Sequence, residues 1–190
     1  MCTILVRCAY ASSTARITIS FQPHTALKVG AHQNSADAPH AMTINEILQK
    51  AAERARQLGL PYSGALTPAE AYEIWRNVPG AKLVDVRTRA ELDYVGRIPG
   101  AVQIELLVYP GNRPNPEFMA ELADHADKTA PILFICRSGG RSHNAAMLAQ
   151  QAGYAASYNV LEGFEGDRDA QGHRNTTGGW RVAGLPWTQS

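Results

Sequence analysis

Beyond position 42 the apolar residues follow two rhythms, one with the period of a helix and one in the short unbroken runs of buried strands. Ile44, Ile47, Leu48, Ala51, Ala55 and Leu58 share one helical face, between the capping-box spacing Thr43-Ile-Asn-Glu46 and a stop at Gly59. This predicts an amphipathic helix whose role is packing. Pro61 to Gly64 predicts a turn, and Thr67-Pro68-Ala69-Glu70 repeats the capping-box spacing with proline at the favoured first helical position, starting a second helix that runs to about Asn77. After the Pro79-Gly80 turn, Lys82 to Val86 reads as a buried strand, and Ala101 to Ile104 as another. Asn115-Pro116 opens a helix with Phe118, Met119, Leu122 and Ala123 on its apolar face. Pro131 to Ile135 is a strand, a helix from about Arg141 carries Ala145, Ala146, Leu148 and Ala149 to Gln151, and Ser157 to Leu161 is a further strand. Strands alternating with helices predict an α/β domain with a largely parallel sheet, in which ligands gather outside the carboxyl ends of the strands.

One of those ends carries distinctive chemistry. The strand 131–135 runs directly into Cys136-Arg-Ser-Gly-Gly-Arg141-Ser142 and then into a helix. A strand that ends in a cysteine, turns through Gly139 and Gly140 and enters a helix aims backbone N–H groups and a helix N-terminus at one sulfur atom. Arg137 and Arg141 add positive charge, and together these influences favour the nucleophilic thiolate. A cysteine that served only packing would explain neither the glycines nor the arginines.

Composition narrows what this loop belongs to. The chain has 190 residues, 45% of them hydrophobic, which is enough for one good core. Its formal net charge is +1 with no long single-sign run, which argues against a nucleic-acid or membrane-surface partner, and no stretch approaches the roughly 18 to 20 apolar residues of a membrane span. Cys2, Cys8 and Cys136 form an odd, sparse set without a CxxC pair, against a disulfide framework or a zinc site and in favour of a reduced compartment such as the cytoplasm.

Residues 1–41 differ from 42–190. They hold Arg7, Arg16 and Lys28 against one acid, Asp37, so the basic bias lies there and 42–190 has 15 basic and 16 acidic residues. An acid-poor segment of this kind is an organelle-targeting sequence, a start placed too early before Met42, or a disordered extension, and the sequence leaves all three open. Pro23, Gly30 and Pro39 interrupt an amphipathic targeting helix, and His24, His32 and His40 read as solvated side chains.

With these residues in view, a family resemblance emerges. The Cys136 loop resembles that of the rhodanese family of sulfurtransferases. Leu83-Val-Asp85-Val-Arg87, then Glu91, then Gly96-Arg-Ile-Pro-Gly-Ala101 is similar to that family's upstream signature, with Arg97 in place of its usual histidine. Asn159-Val-Leu-Glu-Gly163, Gly179-Trp180 and Gly184-Leu-Pro-Trp187 resemble its ending, with Phe164 where a second glycine is common. The likeness spans about residues 66–187. It implies a single rhodanese domain within 42–190, preceded by a helix, with a five-stranded, largely parallel sheet flanked by helices on both faces. The implied reaction takes sulfane sulfur from a small donor such as thiosulfate onto Cys136 and passes it to a thiophilic acceptor such as cyanide, a thiol or a sulfur-carrier protein, with no cofactor or metal. Arg137, Ser138, Gly139, Gly140, Arg141 and Ser142 then cradle the persulfide and substrate, Arg141 binding an anionic donor and Arg137 steadying the thiolate, while Asp85 and Arg87 support the strand end and neighbouring loops.

Two other readings compete. Cysteine-dependent phosphatases and arsenate reductases use Cys-x5-Arg to surround a phosphate-sized group, whereas Cys136 to Arg141 has Cys-x4-Arg spacing, one residue shorter and better sized for sulfur. A non-catalytic rhodanese-like module that binds a partner or senses sulfur is the other, although such domains usually lack the cysteine retained here. His143 is expected to face solvent, because a thiolate needs no base for sulfur transfer. The polar stretch 165–178, with one histidine, His173, reads as a surface loop too poor in ligands for a metal but long enough to shape substrate access. Trp75, Trp180 and Trp187 are expected in the core or at its edge.

Overall fold

The computed structural model describes residues 42–189, so the expectations for 1–41 lie outside the described residues. In chain order the elements are α1 (Ile44–Leu58), β1 (Gly64–Leu66), α2 (Pro68–Asn77), β2 (Lys82–Asp85), α3 (Arg89–Tyr94), β3 (Val102–Gln103), β4 (Leu107–Val108), β5 (Arg113–Pro114), α4 (Phe118–His125), β6 (Ile132–Ile135), α5 (Gly140–Gln151) and β7 (Ser157–Val160). Five strands form one sheet in the order β1-β7-β6-β2-β3, and every pairing in it is parallel. A small antiparallel hairpin, β4 with β5, stands apart from it.

The side-chain alternation of a strand divides the core between the two faces of the sheet. Leu83, Leu133 and Ile135 pack on one face with Ile47 and Ala51 of α1 and Ala71 and Ile74 of α2. Val84, Ile132 and Phe134 pack on the other with Phe118 and Leu122 of α4 and Ala145, Ala146 and Ala149 of α5. Helices thus cover both faces, as the sequence resemblance implied. The alanines of α5 let that helix lie close to the sheet, which fixes the height of its N-terminus above the end of β6. Trp180 is fully buried, with Tyr72 and Trp75 ring centroids 5.8 and 6.4 Å from it, and its indole N–H donates to the Pro186 carbonyl.

Several elements depart from the sequence reading. The turn expected over Pro61 to Gly64 gives way at Gly64 to β1, a three-residue strand defined by its pairing with β7. α3 and the β4–β5 hairpin were not expected at all. β3 shrinks to Val102–Gln103, and α4 starts at Phe118, where Asn115 accepts the Glu117 N–H in place of a side-chain cap.

The topology sets the site. From β2 the chain goes outward to β3, and from β6 it goes the other way to β7, although β2 and β6 are neighbours in register from Lys82 with Ile132 to Asp85 with Ile135. The chain therefore reverses its direction across the sheet between β2 and β6, a switch point of the kind at which ligands bind in such sheets.

Candidate functional site

Cys136 stands at the end of β6, the middle strand of five, and is 1% exposed. Gly139 takes a left-handed φ of 94° as N-cap of α5, a backbone state that suits glycine and turns the chain from the strand into the helix within the loop. The turn aims the Gly139 N–H at the sulfur, with N to Sγ at 3.2 Å. Ser142, one turn into α5 and fully buried, sets its hydroxyl 3.3 Å from the same sulfur and 3.1 Å from the Gly139 carbonyl. A hydroxyl has one proton to donate, so a negative sulfur draws it away from the carbonyl. The sulfur thus lies at a helix N-terminus with a backbone donor and a side-chain donor already in place.

The segment after β7 braces the loop from beneath. Phe164 N–H donates to the Cys136 carbonyl at 2.8 Å and Glu165 N–H to the Arg137 carbonyl at 2.9 Å. Gly163 has φ 62°, and a Cβ there would lie 2.5 Å from the Cys136 carbonyl oxygen, so this position admits glycine alone. Gly163 in turn accepts the Trp180 N–H, and Glu162 accepts the Gly179 N–H at 2.8 Å, which connects the terminal motifs to the cysteine.

Asp85 and Arg87, both buried, form a pair with Nε to Oδ1 at 2.9 Å and Nη2 to Oδ2 at 2.7 Å. Arg87 also donates to the Gly96 carbonyl and lies with its guanidinium carbon 3.8 Å over the Phe164 ring. The aromatic residue found where the family commonly has a second glycine is a platform for this arginine. Arg97, the other departure from the family pattern, reaches Asp93 at 2.7 Å while its backbone pairs with Thr188.

Of the residues expected from sequence at the site, Gly139 and Ser142 contact the sulfur, and the arginines are placed unevenly. Arg137 is exposed. Arg141 turns to α3 and makes a two-pronged pair with Glu91, at 2.7 and 2.6 Å. Glu91 also closes a capping box with Thr88, accepting its N–H and its hydroxyl at 2.9 Å. Burial alone would raise the Glu91 carboxyl, but the Arg141 and Thr88 donors override it and hold it at about 2. Burial likewise disfavours the Arg141 charge, and the Glu91 carboxylate more than restores it. Sequence reasoning named Glu91 only within the family signature and gave it no task. The signal was present, since Thr88-Arg-Ala-Glu91 has the same spacing as the two capping boxes that were recognised.

The other flagged residues have partners of their own. His143 is half-buried and its Nδ1 is 2.7 Å from the Tyr62 hydroxyl, in place of the solvent-facing position expected. The 165–178 stretch is an ordered loop in which Asp169 accepts the N–H groups of Gln171 and His173 and the Thr176 hydroxyl, and it is tied back through Asn175 N–H to the Glu165 carbonyl. Among the described residues no histidine, cysteine and carboxylate cluster could hold a metal ion, and no helix is long and apolar enough to cross a membrane.

Known proteins are similar to this chain over much of its length. An uncharacterized protein of Rickettsia conorii is 38% identical over 120 residues, which span 62% of this chain and 91% of that protein. The chloroplastic thiosulfate sulfurtransferase 16 of Arabidopsis thaliana is 29% identical over 87 residues, 45% of this chain and 72% of its own. The crystal structure of Rv0390 from M. tuberculosis matches with a TM-score of 0.63 at 44% identity, covering 68% of this chain and 99% of that one. The rhodanese-like domain matches residues 67–170, from the N-cap of α2 through the loop that braces Cys136, and the chain belongs to that family.

Proposed function

We propose that the protein is a sulfurtransferase that moves sulfane sulfur from a donor such as thiosulfate to a thiophilic acceptor, cyanide or a thiol, through a persulfide on Cys136. The observation that carries this reading is the Cys136 sulfur itself, set at the N-terminus of α5 with the Gly139 N–H at 3.2 Å and the Ser142 hydroxyl at 3.3 Å. In the first half-reaction the thiolate attacks the outer sulfur of thiosulfate. The Sγ–S bond forms, the S–S bond of thiosulfate breaks, and its electron pair leaves with sulfite. In the second, the acceptor attacks the outer sulfur of the persulfide and the electron pair returns to Cys136 as thiolate.

Charge builds on sulfur in both half-reactions, and preorganised donors stabilise it best when they need not move. Gly139 and Ser142 are such donors, Ser138 and Gly140 complete the loop around the incoming sulfur, and the segment at Gly163 holds their backbone from beneath. Asp85 and Arg87 keep the end of β2 and the following turn in place. A sulfur-carrier protein is the macromolecular partner this chemistry would serve, and a thiol used in this way fits a reducing compartment such as the cytoplasm.

Intact-protein mass spectrometry tests the proposal. After incubation with thiosulfate the wild type should gain one sulfur and lose it on addition of cyanide, while Cys136→Ser should gain none. Steady-state double-reciprocal plots should be parallel across donor concentrations. A wild type that never gains sulfur would instead be the non-catalytic binding module.

A further inference from the structure

An anionic donor that reaches the sulfur needs a positive charge still free to meet it. Three arginines belong to the cysteine loop or to its supports. Arg87 is buried and paired with Asp85, and Arg141 spends both prongs of its guanidinium on Glu91. Arg137 is exposed, and among the described residues its guanidinium has no hydrogen bond or ion pair. A guanidinium already met by a carboxylate attracts an incoming anion far less than a free one does. The backbone of Arg137 is nevertheless fixed, since its carbonyl accepts the Glu165 N–H at 2.9 Å and a Cβ on Gly163 would lie 2.7 Å from the same oxygen. The loop thus carries one free charge on an anchored backbone, next in the chain to the nucleophile.

Resting on the sulfurtransferase reading, we infer that Arg137, and not Arg141, is the specificity-determining residue that meets the charged end of an anionic sulfur donor. This exchanges the tasks that the sequence suggested for the two arginines. Cys136 is 1% exposed, so a donor has to lead with its outer sulfur, and its oxygen-bearing end trails toward the solvent from which it came. Thiosulfate then presents three oxygens and two negative charges to the exposed guanidinium, whose fork of N–H groups can grip two of those oxygens at once. The Cys136 thiolate attacks the outer sulfur, the Sγ–S bond forms, the S–S bond of thiosulfate breaks, and sulfite leaves with the electron pair. The negative charge of the attacking thiolate remains on the outer sulfur of the new persulfide, and no outside oxidant or reductant enters. Arg137 acts by offsetting the repulsion between a dianion and a thiolate as the donor binds.

The test compares thiosulfate with the methanethiosulfonate anion, which offers the same outer sulfur but one negative charge, with cyanide as acceptor. Arg137→Gln should raise KM for thiosulfate about tenfold or more, as expected for the loss of a hydrogen bond between charged groups, with a smaller rise for methanethiosulfonate and little change in kcat for either. Arg137→Lys should restore part of the loss, because it returns the charge without the fork. Between roughly 0.05 and 0.5 M sodium chloride the wild-type KM for thiosulfate should climb, and in Arg137→Gln it should climb much less, because an exposed charge is screened by salt. A residue that served only the shape of the loop would move neither the donor ratio nor the salt dependence. An unchanged KM in Arg137→Gln overturns the inference, and so does a fall in kcat with both donors alike, which would return Arg137 to steadying the thiolate. In either case saturating thiosulfate still adds one sulfur to Cys136, and the sulfurtransferase reading stands. A wild type that gains sulfur from neither donor overturns that reading and this one together.

Discussion

Two corners of the molecule use the same local device for different ends. At the start of α2, Glu70 closes a capping box with Thr67 and takes Arg54 in a two-pronged pair at 2.6 and 2.8 Å. At the start of α3, Glu91 does the same with Thr88 and Arg141. The first arginine lies on α1, sixteen residues before its partner, and also donates to the Ala65 carbonyl, so the product is a fixed corner of two helices and an edge strand. The second lies fifty residues after its partner in the cysteine loop, so the product is a loop tied to the start of α3. A glutamate at the third position of a helix is thus a neutral piece of architecture until tertiary structure decides which cation it meets.

That contrast can be broken in order of severity. The largest effect belongs to the sulfur and to neither glutamate: Cys136→Ser should reduce sulfurtransferase activity to the uncatalysed blank, measured as thiocyanate formation from thiosulfate and cyanide. Next is the brace. Gly163→Ala places a methyl group 2.5 Å from the Cys136 carbonyl oxygen, and the loop shift that relieves it should lower kcat/KM roughly 100-fold or more, because displacements near 1 Å carry costs of that order.

The two glutamates separate at the next level. Glu70→Ala and Glu91→Ala each remove a cap and leave a half-buried arginine unpaired, and each should cost about 3 kcal/mol in urea denaturation. Only Glu91→Ala should also change kcat/KM per folded molecule. A change in turnover for Glu70→Ala of the same size would erase the distinction between the two corners.

The smallest effect is one of pH. The Glu91 carboxyl, ordinarily near 4.5, is held at about 2 in the folded chain. A depressed carboxylate contributes stability that is complete above its unfolded value and is lost as pH falls toward its folded one. Between pH 6 and pH 3 the wild type should therefore lose about 2 kcal/mol at this residue, a loss absent from Glu91→Gln. Glu70 is also lowered, with burial opposing and the Arg54 and Thr67 hydrogen bonds prevailing, so Glu70→Gln should flatten the same curve in part. Equilibrium unfolding at a series of pH values reads both slopes.

Much of this was legible in the chain. The capping boxes at Thr43 and Thr67 lie ahead of long amphipathic faces, so pattern and cap agree and both helices fall where the periodicity puts them. The box at Thr88 has the same spacing but precedes a helix of six residues with one buried apolar side chain, Leu92, which is too little periodicity to register. Strand β1 has three residues and is a strand because β7 supplies its hydrogen bonds. The cysteine loop was legible as a site because its residue types have no common packing explanation. The role of Glu91 was not, because a carboxylate's partner fifty residues away is a fact of topology.

The sequence by itself determined the helices and inner strands, the position of a cysteine where a strand ends, and the glycines that its turn demands, since each depends on propensity and spacing within a few neighbouring residues. Tertiary structure alone decided how that cysteine is equipped. The pairing of β2 with β6 as parallel neighbours brings Glu91 to Arg141, and the return of the chain after β7 sets Gly163 under the Cys136 carbonyl. Charge compensation and steric bracing act through space over a few ångströms, and the distances that govern them exist only once the sheet has formed.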